Sequence, residues 1–196
     1  MADAVIGFRV KTGRTIVVLL SGPAARPVAL DRREVQLSDP AVPASRFPFH
    51  AALDLAPAAG AREVTRLSGL VERFASRSLT DLFEGYREQG HRLRRAGIVV
   101  GSDTDPKTIK GAHIRAHAEE GSLFRAQVER ASATAALRPM VTVEKALLAE
   151  ASKRLGRTAA QIKKDLAALG KGLSGPWRSE EKQAALAAWI LLGRTS

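Results

Sequence analysis

Two histidines stand one helical turn apart in the run His113-Ile114-Arg115-Ala116-His117-Ala118-Glu119-Glu120. On a helix they project from one side, with Glu120 close to the same line and Phe124 and Val128 continuing the stripe, so they are expected to face inward or along a cleft. Imidazoles at this spacing support a shared divalent metal, phosphate binding or proton transfer, or plain hydrogen bonding within a fold. The order is not that of the zinc metalloproteases, in which a glutamate directly follows the first histidine. Asp103 and Asp105 lie shortly upstream, where aspartates commonly cap helix amides. The functional alternative joins Asp103, Asp105, His113, His117 and Glu120 in one catalytic cleft, with His50 contributed from a distant loop. Which metal, if any, such a cleft takes is left open.

A second group of residues is basic. The densest cationic stretch runs from Lys153 through Arg178 in a chain whose formal net charge is +11. A positive field attracts phosphate polymers and does so less as salt rises. Glu144 to Leu155, Gly156 and Arg157 to Leu169 read as helix, turn and helix, and Lys153, Arg154, Arg157, Lys163 and Lys164 are the candidate nucleic-acid contacts. A solvated helical face is the alternative reading of the same charges. Trp177 and Trp189 are expected to be packing groups, the latter inside an apolar helix.

Composition narrows the function classes. Hydrophobic residues at 45% and charged residues at 26% are those of a folded chain, which excludes wholesale disorder. The absence of cysteine removes disulfides, thiolate metal sites and thiol nucleophiles. No signal peptide is visible, and the longest apolar stretch, Thr15 to Leu20, is far short of the roughly 20 residues that cross a bilayer, so a cytoplasmic protein with no membrane partner is expected. Glycine-rich phosphate loops of the usual type are lacking, which gives a nucleotide cofactor no support.

The elements that must position these groups follow from periodicity. Three strand-like runs open the chain, Ala4 to Val10, Arg14 to Leu20 and Pro27 to Leu37, the first two joined by Lys11-Thr12-Gly13. They form an antiparallel meander, with a bend or bulge expected at Asp31-Arg32-Arg33-Glu34. The proline-rich stretch 38–60 is expected to be a long ordered loop over one end of the sheet. Val64, Leu67, Val71 and Phe74 predict one helix, and Ser78 with Asp81 predicts a capped restart into a second. Ala96 to Gly101 reads as a strand buried on both faces and Met140 to Val143 as a fifth strand, with a helix between them from about Lys107 to Ala133, preceded by a short separate turn. Helices at Glu144 to Leu155, Thr158 to Leu169 and Ser179 to Leu192 complete one α/β domain spanning residues 1–196, of which 144–178 is the basic helical segment.

This order of elements resembles the ribonuclease H-like fold, and its Holliday-junction resolvase branch in particular. Two local patterns add to the likeness: Ile6-Gly7 in the first strand followed by Thr12-Gly13-Arg14, and the alanine-rich final helix around Glu181-Lys182-Gln183-Ala184-Ala185-Leu186-Ala187-Ala188. The resemblance implies a mixed five-stranded sheet with an antiparallel three-stranded meander and flanking helices, a DNA or RNA partner, and carboxylates that hold two magnesium or manganese ions. This chain departs from the pattern at the site. The first strand carries Phe8 or Arg9 where the family has an aspartate, and the fourth strand runs into Gly101-Ser102. Glu180 or Glu181 and Asp103 are the acids placed to substitute, while a cationic Arg9 opposes metal binding. The expectation is a diverged, nucleic-acid-associated protein with an incomplete nuclease site. The alternatives are a small His/Asp enzyme performing metal-assisted hydrolysis and a noncatalytic protein-interaction scaffold. Substrate and oligomeric state stay open.

Overall fold

The computed structural model describes residues 2–192. Five strands, β1 (Ala2–Lys11), β2 (Arg14–Ser21), β3 (Val28–Gln36), β4 (His91–Val100) and β5 (Arg138–Val143), form a single mixed sheet in the order β3-β2-β1-β4-β5. β1, β2 and β3 are the antiparallel meander, and β4 and β5 add in parallel. The β1–β2 connection is tighter than the sequence suggests, because Lys11 already pairs with Arg14 and only Thr12 and Gly13 turn the chain. Gly13 supplies the positive φ of 79° that this two-residue turn demands. The bend in β3 falls at Leu30, just before the charged run: the register slips between Leu19↔Asp31 and Leu20↔Ala29.

Alternation along β1 divides the molecule into two cores. Ala4, Ile6, Phe8 and Val10 face α1 (Pro57–Glu88) and α2 (Ala112–Thr134), where Phe8 meets Phe83 edge to face at 6.2 Å. Val5 faces the other side, where Val99 packs with α3 (Glu144–Leu155), α4 (Ala159–Leu169) and α5 (Ser179–Leu192). α5 is apolar nearly all round and lies almost on the sheet backbone. A Cβ on Gly7 would come within 1.9 Å of the Ala184 carbonyl oxygen, and one on Gly97, its neighbour in register, within 2.3 Å of that of Ala187. The alanine-rich helix and the paired glycines are two halves of one close approach, gaining dispersion contacts that a larger side chain on either surface would prevent. Trp189 is fully buried on α5 and donates its indole N–H to the Ala24 carbonyl at 2.8 Å, as a packing group.

Three expectations need correction. The helix after the loop is one element, not two: Leu67, Val71, Ala75 and Leu79 recur at steps of four straight through Ser78, so the apolar stripe never restarts. Residues 57–60 belong to that helix, since Pro57 occupies its first turn, where a missing N–H costs nothing. The fourth strand begins earlier than Ala96, at His91, because its alternating amino-terminal half pairs with Ala2 to Ala4 of β1. The stretch before Pro57 is irregular, with 3-10 turns at Pro43–Arg46 and His50–Ala52, and is fastened to the first hairpin by Leu37 and Ser38 N–H groups donating to the Gly13 carbonyl.

Candidate functional site

The carboxyl ends of β1 and β4 are where a ribonuclease H-like carboxylate cluster is expected. Phe8 points into the α1 face, so Arg9 is the side chain that faces α3 and α5 here. It lies beside Val99 of β4 and is only 4% exposed. Its guanidinium donates to Glu144, the first residue of α3, and to the Val10 carbonyl at 3.2 Å. Gln183 of α5 closes the group, its amide donating to Glu144 Oε1 at 2.7 Å and to Ser179 Oγ at 3.2 Å. The substitute acids are engaged as well. Glu180 accepts from Arg14 at 2.9 Å and pairs with Lys11 at 3.6 Å. Glu181 is buried and accepts from Arg32 at 2.7 Å and from the Arg178 N–H at 2.8 Å. Burial alone would push the Glu181 carboxyl up, yet the Arg32 and backbone hydrogen bonds outweigh it and hold it below the usual glutamate range. These donors do not fit a pair of divalent ions: each of the three glutamates already neutralises a cation.

The region after β4 is arranged differently from a single His/Asp cleft. Asp105 caps the 3-10 turn Pro106–Thr108, accepting from the Lys107 N–H at 3.0 Å. Asp103 is exposed on the same connection, where Ser102 and Thr104 hydroxyls bond to each other at 2.8 Å. Neither aspartate belongs to the cluster that forms on α2. That cluster is His50, His113 and His117, and among the described residues it is the one group of three or more metal-capable side chains. Ring centroids of His50 lie 4.7 Å from His113 and 4.2 Å from His117, with 4.8 Å between the helical pair. Glu120 sits one turn deeper on α2 and is fully buried, its Oε1 accepting from His50 Nδ1 at 2.8 Å and from the His50 N–H at 3.2 Å. Spacing on the helix brings His113 and His117 together; His50 arrives only because the proline-rich segment folds back onto α2.

The basic segment is mixed in character. Lys153, Lys163 and Lys164 are exposed, and Arg154 pairs with Glu150 one turn back. Arg157 is structural in its contacts: it pairs with Asp165 at 2.5 Å, donates to the Ala25 carbonyl at 2.9 Å and lies 5.3 Å over the Trp189 ring. α3 and α4 meet at Gly156, whose φ of 62° makes the left-handed turn, and Thr158 with Gln161 forms a reciprocal cap on α4.

No protein-family sequence profile matches the chain, and no curated protein sequence matches it. Solved structures do. The chain is similar to Thermus thermophilus RuvC in complex with a Holliday junction substrate, with a TM-score of 0.54 and 12% identity over 96% of this chain and 91% of that one. It is also similar to a second Thermus thermophilus RuvC structure, with a TM-score of 0.52, 12% identity, and coverage of 95% and 92%. The fold is therefore ribonuclease H-like, of the RuvC type. Among the described residues no helix is long and apolar enough to cross a membrane.

Proposed function

We propose that this chain is a nucleic-acid-binding protein of ribonuclease H-like fold that has given up the carboxylate nuclease centre. The observation that carries this reading is the ion pair between buried Arg9 and partly exposed Glu144 beside the ends of β1 and β4. A cation fixed there repels divalent ions and leaves no carboxylate free to position them. Support for the nucleic-acid half comes from the net charge of +11 and from the exposed Lys153, Lys163 and Lys164. The RuvC neighbour solved with a Holliday junction substrate makes branched DNA the first ligand to try.

The test is a salt-dependent titration of four-way, duplex and single-stranded DNA, with magnesium or manganese present and every sample assayed afterwards for cleavage. Binding that weakens with salt, without strand scission, is expected. Replacing both Lys163 and Lys164 by alanine should reduce the slope of log affinity against log salt by about 1 for each phosphate that is no longer neutralised, with unchanged folding. Absence of binding at low salt removes the nucleic-acid reading, and metal-dependent cutting removes the claim of a lost nuclease centre.

A further inference from the structure

The histidine cluster contains a feature that hydrogen bonding within the protein leaves unexplained. Glu120 accepts from His50 Nδ1, which places a proton on Nδ1, and in the neutral ring the lone pair is then on Nε2. That Nε2 is buried and has no hydrogen-bond partner, so neither His113 nor His117 donates to it. A buried acceptor left unmatched is costly, and so is a wholly buried carboxylate with its second oxygen orphaned, as Glu120 Oε2 is. A cation at the centre of the three rings would satisfy the nitrogen directly and offset the carboxylate's charge through the His50 ring.

We propose that His50, His113 and His117 bind one divalent transition-metal ion of the zinc class, through His50 Nε2 and one nitrogen of each helical histidine. Glu120 is the carboxylate that fixes the His50 ring and raises its basicity, the carboxylate-histidine arrangement that commonly supports such ligands. The donor set selects the ion. Imidazole suits zinc, nickel and copper, whereas magnesium and manganese prefer oxygens, and no carboxylate belongs to the group. Candidate ligand atoms lie within 4.8 Å of one another. Tetrahedral zinc at about 2.0–2.1 Å from each nitrogen holds its ligands roughly 3.3 Å apart. His113 and His117 are exposed and free to rotate inward by that difference, while His50 is already held in place. Three protein ligands leave a fourth position for water or an anion, the pattern of an open site. The ion would also tie the segment bearing His50 to α2. Metal binding at this cluster is independent of nucleic-acid binding.

The experiment uses the full chain stripped with a chelator, titrated with zinc by calorimetry and with cobalt by visible absorption. Saturation at one equivalent is expected, with the intense cobalt bands of a four-coordinate site and no response to magnesium. His50→Ala and His117→Ala should each abolish the saturable step, and His113→Ala, at an exposed position that leaves the fold intact, should weaken it severely. Glu120→Gln should weaken zinc by about 10- to 100-fold while its metal-free circular dichroism stays that of the parent. If Glu120→Gln does not fold, the three histidine variants still decide the matter. Zinc binding that survives His50→Ala unchanged would mean an adventitious pair on one helix, and absence of a saturable step in the parent would overturn the proposal outright.

Discussion

The two polar centres lie on opposite faces of one sheet and solve opposite problems. On the α3/α5 face, Arg9 is buried but its charge is answered by Glu144, which is in turn held by Gln183. On the α1/α2 face, Glu120 is buried more deeply, yet it answers only a histidine, and nitrogen and oxygen atoms there remain without partners. Arg9 Nε and Gln183 Oε1 are also buried without partners, so the centres differ in charge and not in the presence of orphaned atoms: binding anything at Arg9 first requires breaking an ion pair. Unsatisfied groups held rigidly are prepared chemistry, since the cost of ordering them has been met by folding. On the metal site proposed above, the ligand would sit at a loop-helix junction and not at the ends of β1 and β4.

The largest way to break this contrast is to separate α5 from the sheet. Gly7→Ala places a methyl inside the Ala184 carbonyl and should destabilise the protein by about 3 kcal/mol or more, read from urea midpoints. Gly101→Ala, where a Cβ meets open space, should stay within about 0.5 kcal/mol. Equal stability of the two variants would mean that α5 does not pack as closely as described, and the Arg9 face would lose its rigid wall. A smaller effect comes from the pair itself. Glu144→Ala strands a buried guanidinium, and because Glu144 is 43% exposed, water reaches the gap and the cost should be about 2 kcal/mol. Arg9→Met removes the charge along with its need for a partner and should cost less than Glu144→Ala. The reverse order would show that Arg9 contributes net stability through its charge.

What could be read from the residues divides along the same line. Local pattern locates α3, α4 and α5 to within a residue, because the stripes of α3 and α4, the Thr158 cap and the continuous apolar run of α5 are contained in consecutive sequence. It failed at Ser78, where a cap-like serine and aspartate outweighed the small, easily overlooked Ala75 that carries the stripe of α1 onward. The β1–β4 glycine pair was invisible, since nothing in Gly7 or Gly97 alone says that a helix backbone rests on both. For the polar centres, the spacing of His113 and His117 is a helical fact, whereas the meeting of Arg9 with Glu144 and of His50 with Glu120 are tertiary facts, joining residues 135 and 70 positions apart. Helical spacing puts Glu120 near His113 and His117, but its hydrogen bonds to His50 arise only in the folded chain.

A third polar contact, on the α1 face, calibrates what a hydrogen-bonded buried group is worth beside the orphaned His50 Nε2. Tyr86 is fully buried and donates its hydroxyl to Asp31 at 2.6 Å, with the Arg33 guanidinium 4.9 Å over its ring. Burial, followed by the Asp31 hydrogen bond, pushes the Tyr86 hydroxyl well above its ordinary ionisation range. Burial pushes Asp31 up too, but the hydrogen bonds from Tyr86 and Arg33 together hold its carboxyl below the usual aspartate value. Tyr86→Phe should therefore cost about 1 kcal/mol at neutral pH, less than Glu144→Ala, because Asp31 is partly solvated. The pH dependence fixes the sign. A depressed carboxyl stabilises the native state above its unfolded value of 3.8 and loses that contribution as pH falls through the lower folded value, so the gap between parent and variant should narrow in acid. A raised phenol acts oppositely: its contribution is complete below 10.0, and the parent loses that contribution as pH rises beyond that point while the variant has none to lose. The difference in unfolding free energy should thus be widest in the neutral range and shrink at both ends. A difference that stayed flat from acid to alkali would mean that the Tyr86 hydroxyl and Asp31 do not interact, leaving shape alone to explain the burial of the ring.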